Sequence, residues 1–203
     1  MSAELARLVE AQGIRDPAVL RAIAETPREL FVPAAQRRSA GDDRPLAIGF
    51  GQTISQPYVV AYMTEQLALT GKERVLEVGT GSGYQTAVLA RLAARVYSVE
   101  IVEPLAERAF QLLLGVCGLE NVELRTGDGA LGWPEAAPFD RIIVTAAASE
   151  VPGPLVDQLA PLGRMIVPVG PARDFQVLRL LHKAVDGKVE EVDLLPVRFV
   201  RLV

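Results

Sequence analysis

The chain has 203 residues, half of them apolar, with a mean hydropathy of +0.24, which suits one domain with a buried core rather than a disordered chain. A net charge of −4 with no run of basic residues argues against a nucleic-acid partner, and no apolar run approaches the ~18 residues of a membrane span. A single cysteine, Cys117, excludes an internal disulfide and a cysteine-cluster zinc site, so no metal is expected. Glu4, Arg7, Glu10 and Arg15 interrupt the N-terminus, which does not read as a signal peptide; the cytoplasm is the expected location, and a monomer the expected state.

In chain order, Leu5, Leu8, Val9 and Gln12 fall at helical spacing. Asp16 and Pro17 are an N-cap and N1 pair opening a second short helix through Val19, Leu20 and Ile23. Residues 33–56 show little periodicity and many Gly, Pro, Asp and Arg, which reads as a long irregular segment with a function. Ser55 and Pro57 open a helix expected to run to Thr70 and stop at Gly71, with Ser55 as its N-cap.

After Gly71 strands and helices alternate. Arg74–Val78, Arg95–Val99, Val122–Arg125, Arg141–Thr145 and Arg164–Val169 read as strands, with helices at Gly83–Leu92, Glu103–Leu114 and Pro154–Leu159. This alternation implies right-handed βαβ units and a parallel sheet covered on both faces. Phe175–Leu181, Glu190–Leu195 and Val197–Val203 read as further strands, with a turn at Gly187. Cys117 reads as a buried thiol, and His182, the only histidine, as a packed or surface strand residue.

The segment Val75–Tyr84 runs from a buried strand into a glycine-rich turn that opens a helix. Such a turn brings backbone close to a ligand and aims helix N–H groups at it. A dinucleotide site wants G-x-G-x-x-G, but Tyr84 stands at the third glycine position; Gly79, Gly81 and Gly83 follow G-x-G-x-G instead. Glu77, two residues before the first glycine, suits a cationic ligand such as the sulfonium of S-adenosylmethionine (SAM) better than a pyrophosphate. Glu100 ends the next strand, where a carboxylate can accept from both ribose hydroxyls. Asp128 and Gly129 follow the third strand, where they can border an adenine edge. With a single histidine, an acceptor needing no base is favoured. A carboxylate qualifies, because its pKa near ~4 leaves it ionised at neutral pH.

Several blocks resemble the protein-L-isoaspartate (D-aspartate) O-methyltransferase family. They are Pro27–Pro33, Gly51–Pro57, Gly79–Tyr84, Gly127–Gly129, Ala137–Asp140, Asp157–Leu159, Pro168–Gly170 and Val197–Val200, in the family's order. The resemblance implies a Rossmann-like SAM-dependent methyltransferase fold of α/β class. Its mostly parallel, doubly wound sheet would carry antiparallel C-terminal strands and an N-terminal helical cap. One domain would span 1–203, with residues 1–70 as cap and active-site loop and 71–203 as the SAM-binding sheet.

The implied reaction is methyl esterification of the α-carboxylate of L-isoaspartyl residues in damaged proteins and peptides, opening a repair route through succinimide. The product cofactor would be S-adenosyl-L-homocysteine. By the same resemblance Ser55 is the catalytic residue, orienting the acceptor carboxylate. The cofactor site would comprise Thr53, Ile54, Ser55, Glu77, Gly79, Thr80, Gly81, Ser82, Gly83, Glu100, Asp128 and Gly129. Ile54, Ser55 and Val197, Arg198, Phe199 and Val200 would bind the peptide, the tail by backbone strand addition.

The chain departs from the family at Gly41, where a tyrosine is common, at Ala47 and at Arg201, where proline is usual. Three other readings compete: a methyltransferase for an Asp side chain of a dedicated peptide in natural-product maturation, a nicotinamide or flavin oxidoreductase, and a non-catalytic module that binds isoaspartyl peptides.

Overall fold

The computed structural model describes residues 2–171 and 175–202. Its helices are α1 (Ser2–Ala11), α2 (Pro17–Glu25), α3 (Pro57–Gln66), α4 (Tyr84–Ala90), α5 (Glu103–Phe110) and α6 (Gly153–Gln158). Its strands are β1 (Leu46–Gly49), β2 (Gln52–Ile54), β3 (Arg74–Val78), β4 (Arg95–Glu100), β5 (Val122–Thr126), β6 (Phe139–Val144), β7 (Leu159–Val169), β8 (Gln176–Lys183) and β9 (Val189–Val197). The main sheet has seven strands in the order β5-β4-β3-β6-β7-β8-β9. β5 through β7 are parallel, and β8 and β9 join antiparallel. The expected doubly wound sheet with antiparallel C-terminal strands is therefore present.

Side chains alternate across this sheet and divide the core. Val75, Val96, Ile143 and Ile166 pack on one face with α1, α2, α4 and α5, while Leu76, Val78, Val99, Val144 and Val167 pack on the other with Leu155. Burial on both faces is why the parallel strands read as near-continuous apolar runs. β3 pairs with β4 on one side and β6 on the other, so the strand order reverses there. In open α/β sheets a ligand crevice forms beyond the carboxyl ends of such strands.

Four local expectations change. Residues 33–56 hold a 3-10 segment at Ala34–Ser39 and the antiparallel hairpin β1–β2 rather than irregular chain. α3 stops at Gln66, because Ala68 takes a left-handed φ of 49° and turns the chain toward β3. α5 passes into a π-helical turn over Gln111–Val116. β9 ends at Val197, and residues 198–202 add no further strand to the sheet. This tail crosses to the loop after β6, where the Ala147 N–H donates to Val200 O (2.7 Å) and the Leu202 N–H to Ala147 O (2.8 Å). Val203, the expected end of that strand, lies outside the described residues.

Candidate active site

Two adjoining cavities open at the switch point. The first, about 760 Å³ with its open mouth, lies over the carboxyl ends of β3 and β4 and is covered by β2. The second lies between the start of α3 and the C-terminal tail. Thr53, Ser55, Thr145 and Val200 line both, so the cavities meet at these four residues.

The floor of the first cavity is the turn after β3. Gly79 has φ 95°, and a Cβ there would collide with Thr145 Oγ1, so only glycine fits. Thr145 Oγ1 lies 2.6 Å from Gly79 O and 3.0 Å from Val78 O, both acceptors, which ties the end of β6 to the turn. A Cβ on Gly129 would lie 2.5 Å from Val78 Cγ1, so the chain after β5 approaches β3 closely. Gly79, Thr80, Gly81, Ser82, Glu100 and Gly129 line this cavity, as do Thr53, Ile54 and Ser55. Gly83 instead starts α4 in a left-handed conformation facing Leu113.

The two acids have different environments. Glu100 is nearly buried; its Oε2 accepts from the Gly81 N–H (2.7 Å) and its Oε1 from the Val102 N–H (2.9 Å). Each carboxylate oxygen keeps a further lone pair, so the pair can still accept from a ribose diol. Glu77 does not line the cavity, contrary to expectation. Alternation along β3 turns it toward α4, where it is fully buried. Its Oε2 accepts from Thr86 Oγ1 (2.5 Å) and Ser98 Oγ (2.6 Å), while Oε1 has no partner among the described residues. Burial pushes its pKa up to about 8, against the two hydroxyl hydrogen bonds, and nearby Glu100 adds to the rise. Ser98 Oγ also lies 2.6 Å from Thr80 Oγ1, so Glu77 reaches the glycine turn from below through Ser98. Asp128 also stays outside the cavity, its carboxylate accepting from the Ala130 N–H (2.9 Å).

Ser55 is not a helix cap. The N-cap of α3 is Gln56, and the first-turn N–H of Tyr58 is satisfied by Asp43 Oδ1 (2.9 Å). Asp43 Oδ2 also accepts from Gln12 (2.8 Å) and Gln56 (2.9 Å). Among the described residues the Ser55 hydroxyl makes no hydrogen bond, so it is available at the junction of the cavities. Its carbonyl accepts from Arg28 Nη2 (3.0 Å). Arg28 is fully buried and also donates to the carbonyls of Ala40 (3.0 Å), Asp42 (3.1 Å) and Arg44 (2.9 Å). Burial lowers its pKa, while Tyr84 and Asp43 oppose that shift. One guanidinium thus fixes residues 40–44 against Ser55.

Val197, Arg198, Phe199 and Val200, expected to bind the peptide, line the second cavity. The Phe199 N–H already donates to Gln176 Oε1 (2.9 Å), and Val200 O accepts from Ala147. Strand addition would use the tail's other backbone groups. Sequence reasoning missed Thr145, Arg28 and Asp43. Thr145 ends a strand at the switch point, which is a usable signal; Arg28 and Asp43 act only through contacts distant in sequence.

The parallel sheet, the glycine turn at its switch point, the acid ending β4 and the adjoining second cavity define a Rossmann-like SAM-dependent methyltransferase. The model of the Protein-L-isoaspartate(D-aspartate) O-methyltransferase family matches residues 2–203, and the chain belongs to that family. It is 69% identical over 202 residues to protein-L-isoaspartate O-methyltransferase 1 of Anaeromyxobacter sp. (strain Fw109-5), covering 100% of this chain and 95% of the relative. It is 57% identical over 190 residues to protein-L-isoaspartate O-methyltransferase of Myxococcus xanthus (strain DK1622), covering 93% of this chain and 89% of that one.

Among solved structures, one protein-L-isoaspartate O-methyltransferase superposes with a TM-score of 0.90 at 33% identity, covering 99% of this chain and 65% of the other. A Plasmodium falciparum protein described as a putative protein-L-isoaspartate O-methyltransferase in complex with S-adenosyl-L-homocysteine gives a TM-score of 0.86 at 25% identity, covering 100% and 98%. Family membership sets the oxidoreductase reading aside.

Proposed function

We propose that this chain uses SAM to methylate the α-carboxylate of L-isoaspartyl residues in damaged proteins and peptides, the first step of repair through succinimide. The observation that carries the reading is the junction of two cavities at Thr53, Ser55, Thr145 and Val200. A cofactor in the first cavity and a peptide in the second would meet there. The glycine cradle and the paired oxygens of Glu100 fit a nucleoside with a ribose diol. When bound, SAM supplies an electrophilic methyl group on a sulfonium.

The protein's part is mainly positioning. An isoaspartyl α-carboxylate is already ionised at neutral pH, so no general base is needed. Ser55 Oγ would donate to one acceptor oxygen and leave the other free to take the methyl group that SAM supplies. Thr53 and Ile54 cover the cleft, and the tail Val197–Val200 holds the peptide. Glu77 supports the turn through Ser98 and Thr80 without touching the ligand. Residues 1–70 serve as a cap that carries Ser55, and 71–203 as the cofactor sheet. We further propose that the enzyme works in the cytoplasm as a monomer without a nucleic-acid partner. No described helix is long and apolar enough to cross a membrane.

The test pairs two synthetic peptides that differ only in one Asp or isoAsp linkage, each incubated with the protein and methyl-labelled SAM. Base-labile methyl ester on the isoAsp peptide alone is expected. Ester on both peptides, or on neither, would overturn the reading.

A further inference from the structure

Formal charge is spread unevenly over the two cavities. Among the described residues, Arg198 is the one formally charged residue lining the second, and Glu100 and Arg201 are the two lining the first. Glu100 belongs to the glycine-turn end, where both oxygens are held by the N–H groups of Gly81 and Val102. Among the described residues, the lining beyond Glu100 thus carries Arg198 on the second cavity and Arg201 on the first, and no further carboxylate.

Neither arginine is neutralised by the described residues. Arg44, Arg91, Arg95, Arg125 and Arg179 each pair with an Asp or Glu, whereas no described carboxylate pairs with Arg198 or Arg201. A bare arginine alone means little; Arg21, Arg37 and Arg38 make no ion pair with described residues either, but they line neither cavity. Position is what separates Arg198 and Arg201 from these. The Arg198 guanidinium carbon sits 4.7 Å from the Phe175 ring centroid. Stacking on an aromatic face limits the side chain without cancelling its charge. Arg201 is held by its backbone, which bridges to Ala147 with bonds on either side. The Arg198 side chain and the Arg201 backbone are thus anchored on a tail segment whose Val200 borders the junction with Ser55.

We propose that Arg198 and Arg201 form a carboxylate-binding rim that selects acceptor peptides carrying a second acidic group close to the isoaspartate. The acid is an Asp or Glu side chain or a chain-terminal carboxylate. Extended chain advances ~3.3 Å per residue, and the acid sought lies within about three residues of the reacting one. The guanidinium fork matches a carboxylate in two parallel hydrogen bonds. The inference rests on the second cavity being the acceptor site. One other carboxylate has the same chemistry, that of the methionine portion of SAM, and it could claim Arg201.

The test uses one isoaspartyl peptide in three versions, with Glu, Gln or Lys two residues after the isoaspartate, and a second set with the change two residues before it. Wild type, Arg198→Gln, Arg201→Gln and the double variant are compared by KM and kcat. Affinity for S-adenosyl-L-homocysteine is measured by calorimetry. In at least one set, wild-type KM is expected to rise about fivefold from Glu to Gln and further to Lys, as for exposed charge pairs. The double variant should flatten that series and leave S-adenosyl-L-homocysteine affinity unchanged.

A wild-type KM indifferent to the flanking charge in both sets overturns the proposal, as does a double variant that keeps the Glu preference. Weakened S-adenosyl-L-homocysteine binding by Arg201→Gln, with the peptide preference intact, assigns Arg201 to the cofactor and overturns its place in the rim. Failure of wild type to esterify any of the isoaspartyl peptides would instead refute the acceptor assignment beneath it.

Discussion

The proposed cofactor half and the proposed acceptor half of the cleft are built in different ways. The cofactor half comes from short pieces of chain that each directly follow a strand: the turn after β3, Glu100 at the end of β4 and Gly129 after β5. Backbone geometry shapes it, with glycines where a Cβ would strike Thr145 or Val78. The acceptor half gathers Ser55, residues 40–44, Phe175 and the tail from across the chain, and Arg28 and Asp43 tie part of it together by side-chain hydrogen bonds. Local backbone fixes the first, and long-range polar contacts fix the second. Each half should therefore fail separately when its own supports are removed.

The largest effect is expected at Arg28. Arg28→Met removes four hydrogen bonds, at about 1 kcal/mol each, so stability should fall by about 3–5 kcal/mol in denaturant titration. At a temperature where the variant remains folded, methyl transfer should fall more than about tenfold while S-adenosyl-L-homocysteine affinity stays close to wild type. Equal loss of both would show that the two halves are not separable.

Ser55→Ala probes the junction without disturbing α3, whose first turn is capped by Asp43. Transfer should drop by about 10- to 100-fold, from one lost hydrogen bond to a charged acceptor, with cofactor binding largely kept. Glu100→Ala should do the reverse. Cofactor affinity should weaken by about 1–3 kcal/mol if two ribose hydrogen bonds are lost, measured by calorimetry. Unchanged affinity would remove Glu100 from the site.

The effect at Glu77 touches neither half of the cleft directly, and it concerns pH. Its folded pKa, raised to about 8, lies above the ordinary 4.5, so the folded state holds a proton that the unfolded state releases between these values. Stability should then fall as pH rises from about 4.5 to about 8 and level off above. Glu77→Gln should remove that slope relative to wild type. Parallel stability–pH curves for the two proteins would mean that Glu77 is not held protonated by its burial.

The same contrast explains what was legible in the sequence. The five parallel strands could be read because two-sided burial leaves apolar runs such as Ile142–Val144. The glycine turn could be read because steric demands act through the residue itself. The hairpin β1–β2 was hidden among Gly, Pro and charged residues, since its strands are only four and three residues long. The early end of α3 depends on Ala68, a residue type that does not announce a left-handed turn.

Ser55 looked like a cap because serine before a helix usually is one, yet Asp43 does that work from 15 residues away. Glu77 looked like a ligand contact because of its place before the glycines, but strand alternation sends it under the turn. The tail from Arg198 onward matches an edge strand in composition, and its bond to Ala147 is set by the fold rather than by the tail.

One geometric claim is central: cofactor and acceptor meet where the two cavities share Ser55 and Thr145. The direct measurement is a crystal structure with S-adenosyl-L-homocysteine and an isoaspartyl peptide bound together. The expected result is the ribose on Glu100, the peptide along Val197–Val200, and the free α-carboxylate within hydrogen-bond reach of Ser55 Oγ, facing the cofactor sulfur. A peptide bound outside the second cavity, or a carboxylate turned away from Ser55, would contradict it.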